Sequence, residues 1–102
     1  MTKIKFFAKN LGFEILGHSS ANENDEGGKI VCAAVSSAAY MAANTIIEIV
    51  KDNVQTEISE AKMLIKILNP SEKTKTVLAG LQLHFTELAK EYPNNIQVIS
   101  EV

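Results

Sequence analysis

Cysteine is nearly absent from this sequence, and Cys32 is the only one among 102 residues. A lone thiol cannot form an intramolecular disulfide and is typical of a reducing compartment, so we expect a cytoplasmic protein. The chain also has no tryptophan, two prolines and only two histidines. Two histidines and one cysteine without close spacing do not make a zinc site. The sequence therefore predicts no metal centre.

Strong charge of one sign is missing as well. The formal net charge is −2, so we expect no broad basic surface for nucleic acid or anionic lipid. Residues 1–20 lack the apolar core and cleavage site of a secretory signal. Residues 30–47 approach the length of a membrane span, but Ala, Ser, Asn and Thr dominate them. We interpret this segment as a buried helix, and we predict neither a membrane nor a nucleic-acid partner.

Alternating apolar and polar residues predict five strands, at 3–8, 13–18, 54–59, 62–68 and 96–101. Between the second and third strands, a polar segment at 19–28 predicts an exposed loop that ends in Gly27-Gly28. These two glycines do not match a phosphate-binding loop. No cofactor is therefore predicted.

Two segments with helical periodicity complete the pattern. Residues 30–50 form one helix, with a stripe at Ile30, Ala34, Ala38, Met41, Thr45 and Ile49. The second helix follows Asn69 as its cap and Pro70 as its first residue. Its apolar face comprises Val77, Leu78, Leu81, Phe85, Leu88 and Tyr92. The predicted fold class is α+β, in the order ββαββαβ, with two helices on one face of a mixed, mainly antiparallel sheet.

The lone cysteine is chemically interesting because it lies close to a predicted helix start. In the first helical turn, open backbone N–H groups and the helix dipole would favour the Cys32 thiolate, which is the nucleophilic form. Gly27 and Gly28 would leave such N–H groups accessible to an oxyanion. His18 ends the second predicted strand and lies across the loop from Cys32, where its imidazole could take the thiol proton.

Other interpretations of these residues remain open on chemistry alone. Buried cysteines are common and mostly inert, and a histidine at a strand end is often structural. His84 is interpreted as a helix-face residue. The acidic residues Glu23, Asp25 and Glu26 are interpreted as a solvated loop, although weak cation binding is an alternative.

Two stretches around these residues make the pattern specific. Gly17-His18-Ser19 is followed by the polar loop and then by Ile30-Val31-Cys32-Ala33-Ala34-Val35-Ser36. This arrangement closely resembles the signature of the ribosomal-processing cysteine protease family, Prp. The length of the chain and the order of its elements are also similar to those of the family, so the resemblance spans residues 1–102 as a single cysteine-protease-like domain.

The resemblance implies a small α+β fold, a homodimer and a defined activity. Members remove the N-terminal extension of a bacterial large-subunit ribosomal protein. Carried over, Cys32 is the nucleophile and His18 the general base. Gly17, Ser19, Gly27, Gly28 and Ser36 are then expected in substrate-loop or supporting roles.

Two features of the sequence depart from the family pattern. Lys29 stands where the family usually carries an aspartate, and the loop is about two residues longer. Asp25 or Glu26 could take the place of that aspartate. The departures keep an alternative function open, a non-catalytic ribosome-associated binding module with the same fold. A structural dimer subunit and a thiol-dependent transferase or redox sensor are further alternatives, the last without a resolving thiol.

Overall fold

Five strands and two long helices make up the part of the chain that the computed structural model describes, residues 1–17 and 26–101. The strands are β1 (Thr2–Phe6), β2 (Gly12–Leu16), β3 (Val54–Ser59), β4 (Lys62–Ile67) and β5 (Ile96–Ser100). The helices are α1 (Glu26–Asn44), which continues as a π-helical segment (Thr45–Val50), and α2 (Glu72–Glu91). A short 3-10 turn (Ala8–Asn10) joins β1 to β2. The predicted α+β class and the order ββαββαβ are confirmed.

The sheet has the strand order β3-β4-β2-β1-β5. All its pairings are antiparallel except that of β1 with β5. It follows that β2 runs in the same direction as β3, and β4 in the same direction as β5. Each helix therefore makes the crossover between two parallel strands, which requires a connection of helical length. The topology brings the end of β2, the start of β4 and the start of β1 to the same edge of the sheet as the beginning of α1.

One face of the sheet carries the core. The alternating residues of β1, β2 and β4 place Ile4, Phe13 and Ile65 on this face without solvent exposure. Phe85 of α2 and Phe6 of β1 pack there with their ring centroids 6.3 Å apart. The predicted apolar face of α2 is confirmed, because Leu78, Leu81 and Phe85 are buried while Val77, Leu88 and Tyr92 pack against the core.

The predicted stripe of α1 is wrong by one position. Ile30, Met41 and Ile49 are 56%, 64% and 76% exposed. The helix instead buries Val31, Val35, Ala39, Ala42, Ala43 and Ile46. The predicted and the observed stripe are both rich in small residues, so they differ little in hydrophobicity. Packing against the sheet selects the stripe that places two valines in the core.

The helix that contains this buried stripe is also part of a long apolar segment. By length and composition alone, Gly27–Val50 could cross a membrane. In the fold, however, the same segment supplies six buried residues to the core against the sheet. This agrees with its interpretation as a core helix.

The start of α2 differs from the prediction. The cap is Ser71 rather than Asn69, since the Ser71 hydroxyl accepts a hydrogen bond from the Thr74 N–H at 3.4 Å. Asp52 fixes this end of the helix from a distance in sequence. Its carboxylate accepts from the Thr74 hydroxyl at 2.6 Å, from the Ser71 hydroxyl at 2.8 Å and from the Ser71 N–H at 2.9 Å. The segment that follows α1 is thereby tied to the N-terminus of α2.

This network predicts a pH-dependent contribution to stability. The Thr74 hydroxyl, and then the N–H and hydroxyl of Ser71, hold the pKa of Asp52 below its usual range. Because the folded chain lowers this pKa, the contribution is present above the ordinary aspartate pKa and is lost as pH falls through the lowered value. We expect Asp52→Asn to lower the melting temperature at pH 7, and the difference from wild type to shrink near pH 3.

Thermal melts followed by circular dichroism measure both differences. Glu48→Gln is the matched control, because it removes an exposed carboxylate from the adjacent π-helical segment. A difference between Asp52→Asn and wild type that is the same at both pH values would contradict this account of the network.

Candidate active site

The position of Cys32 in α1 differs from the sequence prediction. The helix begins at Glu26, so Cys32 is its seventh residue and lies in the second turn rather than the first. Open backbone N–H groups belong to the first four residues of a helix, and the dipole effect falls off within the first turn. The helix end therefore contributes less to the chemistry of Cys32 than the sequence indicated.

The two glycines before Cys32 are also placed differently. Gly27 and Gly28 are the second and third residues of α1, not the end of a loop, and Gly28 is buried. The fourth helical residue, Lys29, is exposed. Their predicted place at the end of a loop is thus wrong, while their supporting role stays a prediction that would have to act from the first helical turn.

Cys32 opens into a cleft at the sheet edge. Val31, the residue before Cys32, and Val35, three residues after it, are 0% and 3% exposed. Their burial fixes the rotation of α1 against the sheet. Cys32 itself is partly exposed. The Cys32 cleft is lined by Cys32, Val35, Ser36 and Tyr40 of α1, by Thr2, Ile15 and Gly17 at the strand ends, and by residues 58–63 around the β3–β4 turn.

Gly17 is required at this edge for a steric reason. Its φ is +85°, a conformation that favours glycine, and an added Cβ would lie 2.8 Å from the Met1 carbonyl oxygen. The Gly17 N–H donates to the Ala61 carbonyl at 2.9 Å, which ties the end of β2 to the β3–β4 turn. This is the physical reason for a glycine immediately before His18.

The remaining predicted site residues fall into two groups. Ser36 is exposed one helical turn beyond Cys32 and lines the same cleft. His18 and Ser19, together with Asp25, lie outside the described residues. His84 is exposed on α2 beside Phe85, and it lines a separate groove between α1 and α2. Among residues 1–17 and 26–101, no cluster of three or more His, Cys, Asp or Glu side chains could hold a metal ion.

Tyr40 is one of the cleft residues that the sequence pattern missed. It is 46% exposed, and it is the only aromatic residue among those that line the cleft in the described part of the chain. A signal was available, since Cys32, Ser36 and Tyr40 recur at intervals of four, which places them on one side of a helix.

Comparisons with known proteins agree with this fold. The model of the cysteine protease Prp family matches residues 1–97. The chain therefore belongs to the Prp family of cysteine proteases. No curated protein matches the sequence.

Solved structures extend the comparison of the fold. An essential ribosomal processing protease Prp from S. aureus, in complex with a covalently linked product peptide, is 17% identical, with a TM-score of 0.87 over 99% of this chain and 100% of that one. SMU.848 from Streptococcus mutans is 26% identical, with a TM-score of 0.84 over 99% of both chains. The S. aureus protease with a substrate peptide gives the same identity, TM-score and coverage as the product complex.

Proposed function

We propose that this chain is an endopeptidase that removes the N-terminal extension of a bacterial large-subunit ribosomal protein. Cys32 acts as the nucleophile and His18 as the general base. The observation that carries the proposal is the placement of the only thiol in a cleft at the sheet edge that is also lined by Gly17, the residue that precedes His18. Membership of the Prp family and the ribosomal processing role named for the S. aureus relative support the same function.

The reaction follows the ordinary steps of a cysteine protease. His18 takes the proton of Cys32, and the thiolate sulfur forms a bond to the scissile carbonyl carbon. The C–N bond then breaks, and the imidazolium returns its proton to the leaving amine. Water hydrolyses the resulting thioester, which releases the second product and restores the thiol. The chain needs no cofactor for any of these steps.

The cleft suits a peptide in an extended conformation. Its lining includes the α1 residues Cys32, Ser36 and Tyr40 as well as the β3–β4 turn. An unstructured N-terminal extension can enter such a cleft without unfolding a domain. Ser36 would support the substrate near Cys32.

We also propose that the protein is a cytoplasmic homodimer. Sedimentation equilibrium tests the dimer, and a monomer at micromolar concentration would contradict it.

The family's usual aspartate is replaced by Lys29, and this observation favours a second candidate function. A chain that lacks a group needed to orient the histidine could bind the extension without cutting it. The exposed position of Lys29 in the first turn of α1 makes it available to a bound peptide. In that case the peptide would bind and remain intact.

A peptide assay distinguishes the two functions. The substrate is a synthetic peptide that spans the N-terminal extension and first mature residues of the ribosomal protein encoded in the same genome. The matched control is a scrambled peptide of the same composition. Mass spectrometry identifies the cleaved bonds. We expect cleavage of the native peptide at one bond and slower cleavage of the scrambled peptide. Equal rates would contradict the proposed substrate, and binding without cleavage would favour the binding module.

A further inference from the structure

Tyr40 occupies a part of the Cys32 cleft that the chemistry at Cys32 does not use. It lies on α1, eight residues beyond Cys32, and 46% of its side chain is exposed. The ring does not belong to the core, since Tyr40 is neither among the buried core residues of the described chain nor among the partly buried ones that pack against them. A large aromatic side chain held in a cleft without supporting the core is available to contact a ligand.

The helix fixes how far Tyr40 lies from the reacting sulfur. Residues 32, 36 and 40 follow one side of α1, and a rise of about 1.5 Å per residue separates the first from the last by about 12 Å along the helix axis. An extended peptide advances about 3.3 Å per residue. A peptide that follows α1 with its scissile carbonyl at Cys32 therefore brings its third or fourth residue from the scissile bond to Tyr40.

The lining of the cleft indicates which side chain is accepted at that distance. Ile58 of β3 lines the same cleft and is 52% exposed, although it lies on the same sheet face as the core residue Met63. An aromatic ring and a branched aliphatic side chain thus line the same cleft. Both would lose exposed apolar surface to an apolar substrate side chain, and neither carries a formal charge to offset the desolvation of a charged one.

We infer that Tyr40 is a specificity-determining residue that contacts an apolar substrate side chain three or four residues from the scissile bond. This inference rests on the proposed use of Cys32 as the nucleophile, but it does not depend on which protein is the substrate. The Tyr40 ring supplies the contact, and its hydroxyl is dispensable.

Cleavage of a randomised peptide library tests this inference without assuming a ribosomal substrate. The library is digested by wild type, Tyr40→Ala, Tyr40→Phe and Met41→Ala, and the cleaved bonds are identified by mass spectrometry. Met41→Ala is the matched control, because Met41 is the next residue on the helix, is 64% exposed and lines the other groove, between α1 and α2.

We expect wild type to prefer apolar residues at the third or fourth position from the cleaved bond. Tyr40→Ala should remove this preference and leave the positions next to the bond unchanged, whereas Tyr40→Phe and Met41→Ala should retain it. For one library peptide with an apolar residue at that position, Tyr40→Ala should lower kcat/KM by about 10-fold or more, the usual size of a hydrophobic-pocket effect. For the same peptide with serine at that position, Tyr40→Ala should lower kcat/KM much less.

Three results would contradict the inference. A wild-type profile without preference at these positions contradicts it, as does a Tyr40→Ala profile that retains the preference. An equal loss of kcat/KM for the apolar and serine peptides would also contradict it, because it would indicate a structural role. Failure to cut the ribosomal peptide, with the library profile as expected, would contradict the proposed substrate and leave Tyr40 as assigned.

Discussion

Replacing Cys32 with alanine is expected to lower kcat/KM for peptide cleavage by roughly 10⁴–10⁶-fold, the range found when the nucleophile of a covalent protease is removed. Cys32 is the only thiol in the chain, so no other cysteine can take over the attack. Since the residue is partly exposed and its neighbours Val31 and Val35 carry the packing, the variant should keep its fold. Initial rates measured by liquid chromatography give the loss.

Two further variants keep this result interpretable. Ala33→Ser adds a hydroxyl at the next position of α1, which is exposed, and should cleave at the wild-type rate. Circular dichroism of Cys32→Ala should match that of wild type. Activity within tenfold of wild type in a folded Cys32→Ala variant would exclude covalent catalysis by this residue.

Replacing His18 with alanine is expected to produce the second largest loss, about 10²–10⁴-fold in kcat/KM, as is typical for removal of a general base. The position of Cys32 sharpens this prediction. Because Cys32 lies in the second turn of α1, the helix dipole gives its thiolate little support. Under the proposed mechanism, we therefore expect the thiolate to depend mainly on the imidazole of His18.

Alkylation of Cys32 by iodoacetamide gives a readout of this dependence that is independent of cleavage. At pH 7 the rate should be higher in wild type than in His18→Ala, because the thiolate is the reactive form and His18 is the proposed acceptor of the thiol proton. His84→Ala is the matched control, since His84 is exposed on α2 and lines a different groove. Equal alkylation rates for wild type and His18→Ala would contradict the pairing.

The strands were predictable from the sequence because their signal is local. Lys3, Lys5 and Glu14 alternate with residues that must face the core, and a period of two fixes the face of each side chain. The predicted ranges agree with the observed strands to within two residues at each end. The parallel pairing of β1 with β5 was not predicted, since it joins residues more than 90 positions apart in the chain.

The helices were harder to predict in detail because tertiary contacts decide their ends and their rotation. Gly27 and Gly28 have poor helix propensity, yet α1 includes both. The cap of α2 depends on Asp52, which is 19 residues from Ser71. A sequence pattern around Asn69 and Pro70 carries no information about that carboxylate.

The candidate site was predictable only in part. The contexts of Gly17 and Cys32 identify the family, and the structure places both residues in one cleft. Tyr40 was missed because its relation to the site depends on the rotation of α1, which the buried valines determine. The contribution of the β3–β4 turn to the cleft was missed for a similar reason, since its residues lie far from Cys32 in sequence and reach it only through the sheet topology.

The central claim is that Cys32 attacks the scissile bond of a peptide held in this cleft, and covalent trapping tests it most directly. The probe is a synthetic peptide with the sequence of the ribosomal-protein extension up to the cleaved bond, and it carries a chloromethyl ketone at its C-terminus. After reaction, intact-mass measurement and peptide mapping should find one adduct per chain, on Cys32, formed faster than with a scrambled ketone and much more slowly in His18→Ala. An adduct on another residue, or equal labelling of Cys32 by the native and scrambled ketones, would contradict the account.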